Sequence, residues 1–549
     1  MSQYSRLICT GLIVVVTLGC GLSRSSDLKL AGQPTEREET ESLPEKLLET
    51  MTGEPKPASL GSSETQIASE KLLENWPGST PEEQGMDSNT LAAMLEMLES
   101  DERNIHSILI ARHGVLVLEA YLSPFNRETP HNIYSCTKSI TSAVMGAALQ
   151  DDLIKSIDKP VYTLFPDLTL DDERKKEILI RHLLTMSSGL EWIEPLRSGL
   201  NDNWYMHDSE FPAQYFFDRA LVAEPGTQFN YNSGGSHLLS VIIQLATGEK
   251  TADYAARRLF APLGISRYQW AEDPNDTTIG GTGLALTSSD MLRIGQLYLQ
   301  RGSWKNETVL SPQWVAESTR GQIAALDGGT YGYQWWVHPD GIYNALGWGG
   351  QQIIIIPQQD MTVVFTAGDR SAFWNSYADL LEGFIIPAAK SSSPLPLSPA
   401  GNEALKDSIY VLANPEPREP APLPKLITKI NNKVFVDLNG THGWSTFSFN
   451  FDRPEEASME LIYGEKSEEM SLRIGLDGVY RVTDSTNYGP VAMKGTWKDG
   501  NTFILTQQFL KEAERITMSM TFYGEGIKRF SQWTVEDYSE ESEAVFLYR

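Results

Sequence analysis

Strand-like runs at residues 107–110 and 115–121, and again at 331–337, 345–350, 352–356 and 362–366, enclose a long stretch of helical apolar spacing. The late strands return to the early pair to complete one sheet. The order therefore predicts an α/β (α+β) sandwich, an antiparallel sheet with flanking helices and a helical subdomain. Between the first two runs, Ala111-Arg112-His113-Gly114 reads as a hairpin turn, with His113 a turn residue rather than a ligand. From Ser135 to Asp152 the period becomes that of a helix, with Ile140, Val144, Ala147 and Ala148 on one side. Residues 178–190 read as a short helix stopped by Gly189, residues 237–246 as an apolar helix, and Thr287 to Asp290 as N-caps of another.

A chain of 549 residues predicts two or three domains. Pro-rich stretches at 391–399 and 415–424 flank a short helical or strand-like piece, and 391–424 reads as a linker closing a domain of residues 76–390. Beyond it, strand-like runs at 434–438, 446–451, 459–463 and 495–505 and the alternating Ile516, Met518, Met520 and Phe522 predict a small antiparallel barrel or sandwich over 425–549. Lys498-Asp499-Gly500-Asn501 supplies a hairpin turn there, and no chemical motif accompanies these strands. At the other end, Arg6 and the apolar run 12–18 read as a signal peptide over residues 1–20. Gly19-Cys20 resembles a bacterial lipobox, with Thr17 where Leu is usual, so Cys20 is a candidate lipidation site and a means of membrane attachment; plain secretion and an uncleaved anchor are the alternatives. Either way the chain is expected to be exported, to a periplasm or a cell surface. Residues 21–75, polar and rich in Glu, Ser, Pro and Thr, read as a flexible tether.

A formal net charge of −27 argues against nucleic acid and anionic membrane surfaces as partners. The three cysteines are Cys9, Cys20 and Cys136, so removal of the signal and acylation of Cys20 leave Cys136 with no disulfide partner.

The chemistry-bearing stretch is Tyr134-Ser135-Cys136-Thr137-Lys138. Three residues apart at a helix start, Ser135 and Lys138 share a face with their Cβ atoms roughly 5–6 Å apart, which sets a base beside a hydroxyl. Free N–H groups and the dipole at that end favour an anion near Ser135. Spacing alone is weak evidence, since Ser26 and Lys29 repeat it in the tether. Cys136 points away from Lys138 and reads as a buried thiol. The turn-rich loop 224–235 carries Tyr231, which such a loop can aim into a cleft.

Taken in order, three stretches give the pattern a family. Tyr134-Ser135-Cys136-Thr137-Lys138, then Pro225-Gly226-Thr227-x-Phe229-x-Tyr231, then Gly347-Trp348-Gly349-Gly350-Gln351 resemble the motifs of the serine β-lactamase and penicillin-binding-protein superfamily. The resemblance spans about residues 80–388 and lies on the side of class C β-lactamases, D-alanyl-D-alanine carboxypeptidases and esterases. Ile180-Arg181-His182-Leu183-Leu184-Thr185-Met186-x-Ser188-Gly189-Leu190 matches a scaffold segment of that family. The resemblance implies that Ser135 attacks an ester or amide carbonyl to form an acyl-enzyme, with Lys138 and Tyr231 managing protons. It places the oxyanion between backbone N–H groups of Ser135 and Gln351, with Gly350 the alternative.

Two departures shape the expected substrate. Where the second motif usually reads Tyr-x-Asn, Ser233 stands in place of the Asn. Where the third usually carries Lys or His, Trp348-Gly349-Gly350 offers no cation for a carboxylate. That pattern resembles the esterase and amide-oligomer hydrolase branch and implies small, neutral ester or amide substrates with no cofactor. Tyr205 is a candidate lining residue of the acyl pocket. A β-lactamase or carboxypeptidase, and a catalytically silent envelope-binding protein on the same fold, are the rival readings. No Gly-x-Ser-x-Gly elbow occurs, and the eight His show no His-x-x-x-His or carboxylate-paired metal pattern. Oligomeric state leaves no mark on the sequence.

Overall fold

The computed structural model describes residues 76–549 apart from 102, 195–200, 326–327, 370–376, 439–443, 464–467, 485–488, 525, 536–538 and 547–549. The signal-like segment with Cys20 and the tether lie outside the described residues.

The first unit runs through helix α1 (Ser88–Glu99), strands β1 (Ile105–Arg112), β2 (Val115–Tyr121) and β3 (His131–Asn132), and helices α2 (Cys136–Gln150), α3 (Ile180–Leu184), α4 (Asp202–His207) and α5 (Ser233–Thr247). It continues with β4 (Gln269–Trp270), β5 (Leu284–Leu286), α6 (Ser288–Leu299), β6 (Ile323–Ala324), β7 (Thr330–Tyr331), β8 (Trp336–Val337), β9 (Tyr343–Gly347), β10 (Gln351–Ile356), β11 (Met361–Ala367) and α7 (Pro399–Ala413). Among the described residues, eight of these strands form one antiparallel sheet in the order β2-β1-β11-β10-β9-β8-β7-β6. The late strands do return to the early pair: β1 takes β11 along one edge and β2 along the other. His113 and Gly114, both at positive φ, form the two-residue turn between β1 and β2.

Alternation along the central strands explains why Ile353-Ile354-Ile355-Ile356 is apolar throughout. Ile353 and Ile355 join Leu109 and Ala111 in the core beneath α2, α5 and α6. Ile354 and Ile356 join Ile108 and Ile110 in a second core under α1 and α7. Both faces of the sheet are covered, so both sets of alternating side chains must be apolar.

Local differences from the sequence reading have physical causes. Helix α3 ends at Leu184, and Gly189 does not stop it. Met186 already turns the chain at positive φ, and Gly189 serves a close approach, since a Cβ there would lie 2.1 Å from the Ala223 carbonyl. The expected strand 331–337 is broken into β7 and β8 by a turn at Gln334 (φ +66). Its side chain points inward, donating to the carbonyls of Leu183 and Leu184 and accepting from Ser236 Oγ. The piece between the Pro-rich stretches is the fifteen-residue helix α7, capped by Ser398. Its Leu405 sits in the core with Leu91 and Leu95, so this segment is part of the first unit's packing and not only a connector.

The C-terminal strands are β12 (Val434–Asp437), β13 (Trp444–Asn450), β14 (Glu456–Tyr463), β15 (Glu468–Gly475), β16 (Arg481–Thr483), β17 (Val491–Trp497), β18 (Thr502–Phe509), β19 (Arg515–Tyr523), β20 (Gly526–Trp533) and β21 (Ser539–Phe546). They pair in the order β15-β14-β13-β12-β21-β20-β19-β18-β17-β16, and a β15 to β17 pairing closes nine of them into a barrel. Phe435, Phe447, Phe449, Phe503 and Phe522 fill it, with ring centroids 5.5–6.0 Å apart. Closure removes the sheet edges, and the aromatic filling makes the interior a packed core.

Candidate active site

Helix α2 is the element on which the site is built. It is buried almost end to end, from Cys136 to Ala148, with small residues where neighbours approach. Two of its buried hydroxyls bond carbonyls across the packing, Ser139 Oγ on that of Gln334 (2.6 Å) and Thr141 Oγ1 on that of Gly280 (2.7 Å). Ser135 opens this helix, and its side chain makes no capping bond to the backbone. The hydroxyl is left to Lys138, whose Nζ lies 2.9 Å from Ser135 Oγ. That amine is 1 % exposed, donates also to the Gly281 carbonyl at 2.8 Å and lies 4.9 Å from the centroid of the Tyr231 ring.

The Gly281 carbonyl is a participant the sequence reading missed. Its signal was the run Gly280-Gly281-Thr282-Gly283. A Cβ on Gly280 would lie 2.2 Å from the Ser236 carbonyl, so only glycine lets this segment pass against α5 and present its carbonyl to Lys138.

Tyr231 stands on the loop just before α5, its ring parallel to that of Trp336 at 6.2 Å and 14°. Phe229 and Tyr331 pack against the same indole. Ser233 is not brought to Lys138. It is the first residue of α5, and its hydroxyl and N–H both bond Glu194, at 2.5 and 2.8 Å. Asn232 caps the helix, its Oδ1 accepting from the Gly235 N–H at 2.8 Å. The second bond to the lysine comes from Gly281 instead. Tyr205 lies on α4 with half its surface exposed, and among the described residues no hydrogen bond or ring contact joins it to Ser135, Lys138 or Tyr231.

The turn between β9 and β10 supplies the opposite wall. Gly349 and Gly350 both have positive φ, and the Gly350 N–H donates to the Gly347 carbonyl at 3.2 Å. Gln351 turns its side chain away from Ser135: its amide donates to the carbonyls of Trp348 (3.0 Å) and Ala367 (2.7 Å) and accepts from Ala367 N–H. Only its backbone is left to face a substrate. The Gln351 carbonyl accepts from Cys136 Sγ at 3.3 Å, and burial pushes that thiol far above its ordinary range, so Cys136 is the inert neighbour expected. Trp348 meets the Tyr134 ring edge-on at 5.3 Å.

Tyr134, directly before Ser135, is held at positive φ (+45°), a conformation that costs a non-glycine residue roughly 1–3 kcal/mol. Its N–H donates to Asn132 Oδ1 (3.0 Å) and its hydroxyl to Glu512 Oε2 (2.6 Å). Glu512 comes from the barrel, in the loop between β18 and β19. That loop also seats Ala513 against Gly349, where a Cβ on the glycine would lie 2.6 Å from the alanine methyl. Nothing local in the sequence announces this contact.

The Beta-lactamase family profile matches residues 93–373. The 6-aminohexanoate-dimer hydrolase of Paenarthrobacter ureafaciens is 24 % identical over 310 residues, 52 % of this chain and 78 % of the relative. The monacolin J acid methylbutanoyltransferase of Aspergillus terreus is 29 % identical over 164 residues, 26 % of this chain and 39 % of the relative. Among solved structures, the octameric penicillin-binding protein homologue from Pyrococcus abyssi aligns with a TM-score of 0.45 and 16 % identity over 84 % of this chain and 100 % of its own.

Proposed function

The chain belongs to the beta-lactamase family of serine hydrolases, and from that premise we propose that it cleaves small, neutral esters or amides through an acyl-enzyme on Ser135. The observation that carries this reading is the 2.9 Å contact between Ser135 Oγ and a lysine amine buried from solvent. In the proposed reaction Ser135 Oγ adds to the substrate carbonyl while its proton passes to Lys138. The oxyanion is met by the N–H groups of Ser135 and Gln351, Gly350 having spent its own within the turn. Tyr231, beside the amine, relays that proton from Lys138 to the leaving group, and a water then adds to the acyl carbonyl, its proton returning to Ser135 Oγ as the acid leaves. Each oxyanion donor is worth on the order of 10²–10³ in turnover. One relative is named for hydrolysing a 6-aminohexanoate dimer and another for transferring a methylbutanoyl group, which supports acyl chemistry.

The preference for neutral substrates rests on Trp348. Its indole packs on Tyr134 where a cationic side chain would grip a carboxylate. Initial rates on short p-nitrophenyl esters and on nitrocefin test this. Ester turnover that disappears in Ser135→Ala, with slow or absent nitrocefin hydrolysis, is expected; efficient nitrocefin hydrolysis beside poor ester turnover would overturn it.

A further inference from the structure

We propose that Glu512 of the C-terminal barrel is a positioning residue for the nucleophile, holding Tyr134 in the left-handed conformation that sets Ser135 at the head of α2. This deepens the reading of Ser135 as nucleophile and rests on it.

The geometry is a closed ring of hydrogen bonds. Glu512 Oε2 accepts from the Tyr134 hydroxyl at 2.6 Å and from Asn132 Nδ2 at 3.2 Å, while Asn132 Oδ1 accepts from the Tyr134 N–H at 3.0 Å. The backbone joins in: Asn132 N–H donates to the Lys511 carbonyl (2.8 Å), and Ala513 N–H to the Tyr134 hydroxyl (3.3 Å). Tyr134 is thus fixed at both ends, with its ring against Trp348. A residue at positive φ persists only where its surroundings over-determine it, and here the barrel supplies much of that constraint. The loop therefore joins the nucleophile's elbow to the turn that carries the oxyanion donor.

The same ring gives the contact a pH dependence. Burial pushes the Glu512 carboxyl up to about 7, against the opposing influence of its bonds to Tyr134 and Asn132 and of Lys511. The titratable groups facing it are Tyr134, whose phenol burial holds neutral, His131 on β3, which burial lowers to about 4, and Lys511 in its own loop, while Glu514 of that loop acts on Tyr134. An ionised Glu512 makes the stronger, charge-assisted acceptor.

The test measures the second-order rate of fluorophosphonate labelling at Ser135, from about pH 5.5 to 9, with thermal melts alongside. The proteins are full-length wild type, Glu512→Gln, Glu512→Ala, Tyr134→Phe and the double variant Tyr134→Phe/Glu512→Ala. Glu512→Ala and Tyr134→Phe are each expected to label about ten- to a hundredfold more slowly, as misplacement of a reacting group does. The double variant should be no slower than the worse single one, because both changes break one contact. Wild type should speed up through an apparent pKa near 7 that Glu512→Gln lacks, its amide accepting from Tyr134 at every pH. Wild-type rates in Glu512→Ala, losses that multiply in the double variant, or an unchanged pH profile in Glu512→Gln would each overturn the proposal. Should Glu512→Ala fail to fold, the profiles of Glu512→Gln and Tyr134→Phe decide it. A well-folded wild type that labels nowhere brings down the proposed function itself; normal labelling with silent Glu512 variants brings down this inference alone.

Discussion

At the scale of single residues, the site depends on side chains kept from their usual partners. The Ser135 side chain does not cap its own helix, and Lys138 is held by a carbonyl, a hydroxyl and an aromatic face, with no carboxylate among its hydrogen-bond partners in the described residues. Lys138→Ala is expected to slow acylation about 10²–10⁴-fold, the usual worth of positioned acid–base help, as read by stopped-flow ester cleavage. Glu512 carries a stability signature of the opposite sign to an ordinary paired carboxylate. Its folded pKa of about 7 lies above the ordinary 4.5, so the native state holds the extra proton between those values. Its contribution to stability is fully present at low pH and is lost as pH rises through about 7. Glu512→Gln should therefore melt higher than wild type at alkaline pH and lose that advantage in acid; an identical pH dependence of melting in the two proteins would contradict this. The pairing of Ser135 and Lys138 was legible because three residues on a helix share a face whatever the fold. The occupation of Ser233 by Glu194 was not, since thirty-nine residues separate them and only tertiary packing brings them together.

At the scale of elements, the sheet and α2 were readable because periodicity reports burial directly. The runs at β1 and β10 are apolar on both faces, and the structure covers both faces. What periodicity could not show is why individual polar or small residues interrupt it. Gln334 breaks an aromatic strand because its amide is needed by α3 and α5. Gly146 sits mid-helix, where propensity disfavours it, because a Cβ there would lie 2.3 Å from the Trp314 ring. Gly146→Ala, favourable on an isolated helix, is expected instead to destabilise the protein by roughly 1–3 kcal/mol through overpacking, measured by urea unfolding. A stabilised Gly146→Ala protein would show that Trp314 moves aside freely. Helix α7 escaped recognition as a core element because its flanking prolines read as punctuation, and its burial is confined to a few residues such as Leu405 and Ser408.

At the scale of the whole molecule, the barrel is a second packed body whose loop between β18 and β19 reaches the site of the first. The strand content of the C-terminal region was visible in its alternation; closure into a barrel depended on the pairing of β15 with β17. Its aromatic interior predicts that Phe503→Ala lowers stability by roughly 3–5 kcal/mol, and that Ser135 labelling slows in the same protein because Glu512 is displaced with it. Labelling at the wild-type rate in a barrel-destabilised protein would separate the two bodies functionally. The central claim, an activated serine at the head of α2, is tested most directly by intact-mass analysis after fluorophosphonate treatment of wild type, Ser135→Ala and Lys138→Ala. One adduct is expected in wild type, mapping to Ser135, absent from Ser135→Ala and much slower to form in Lys138→Ala. A folded wild type that takes no adduct, or an adduct that maps elsewhere, would contradict it.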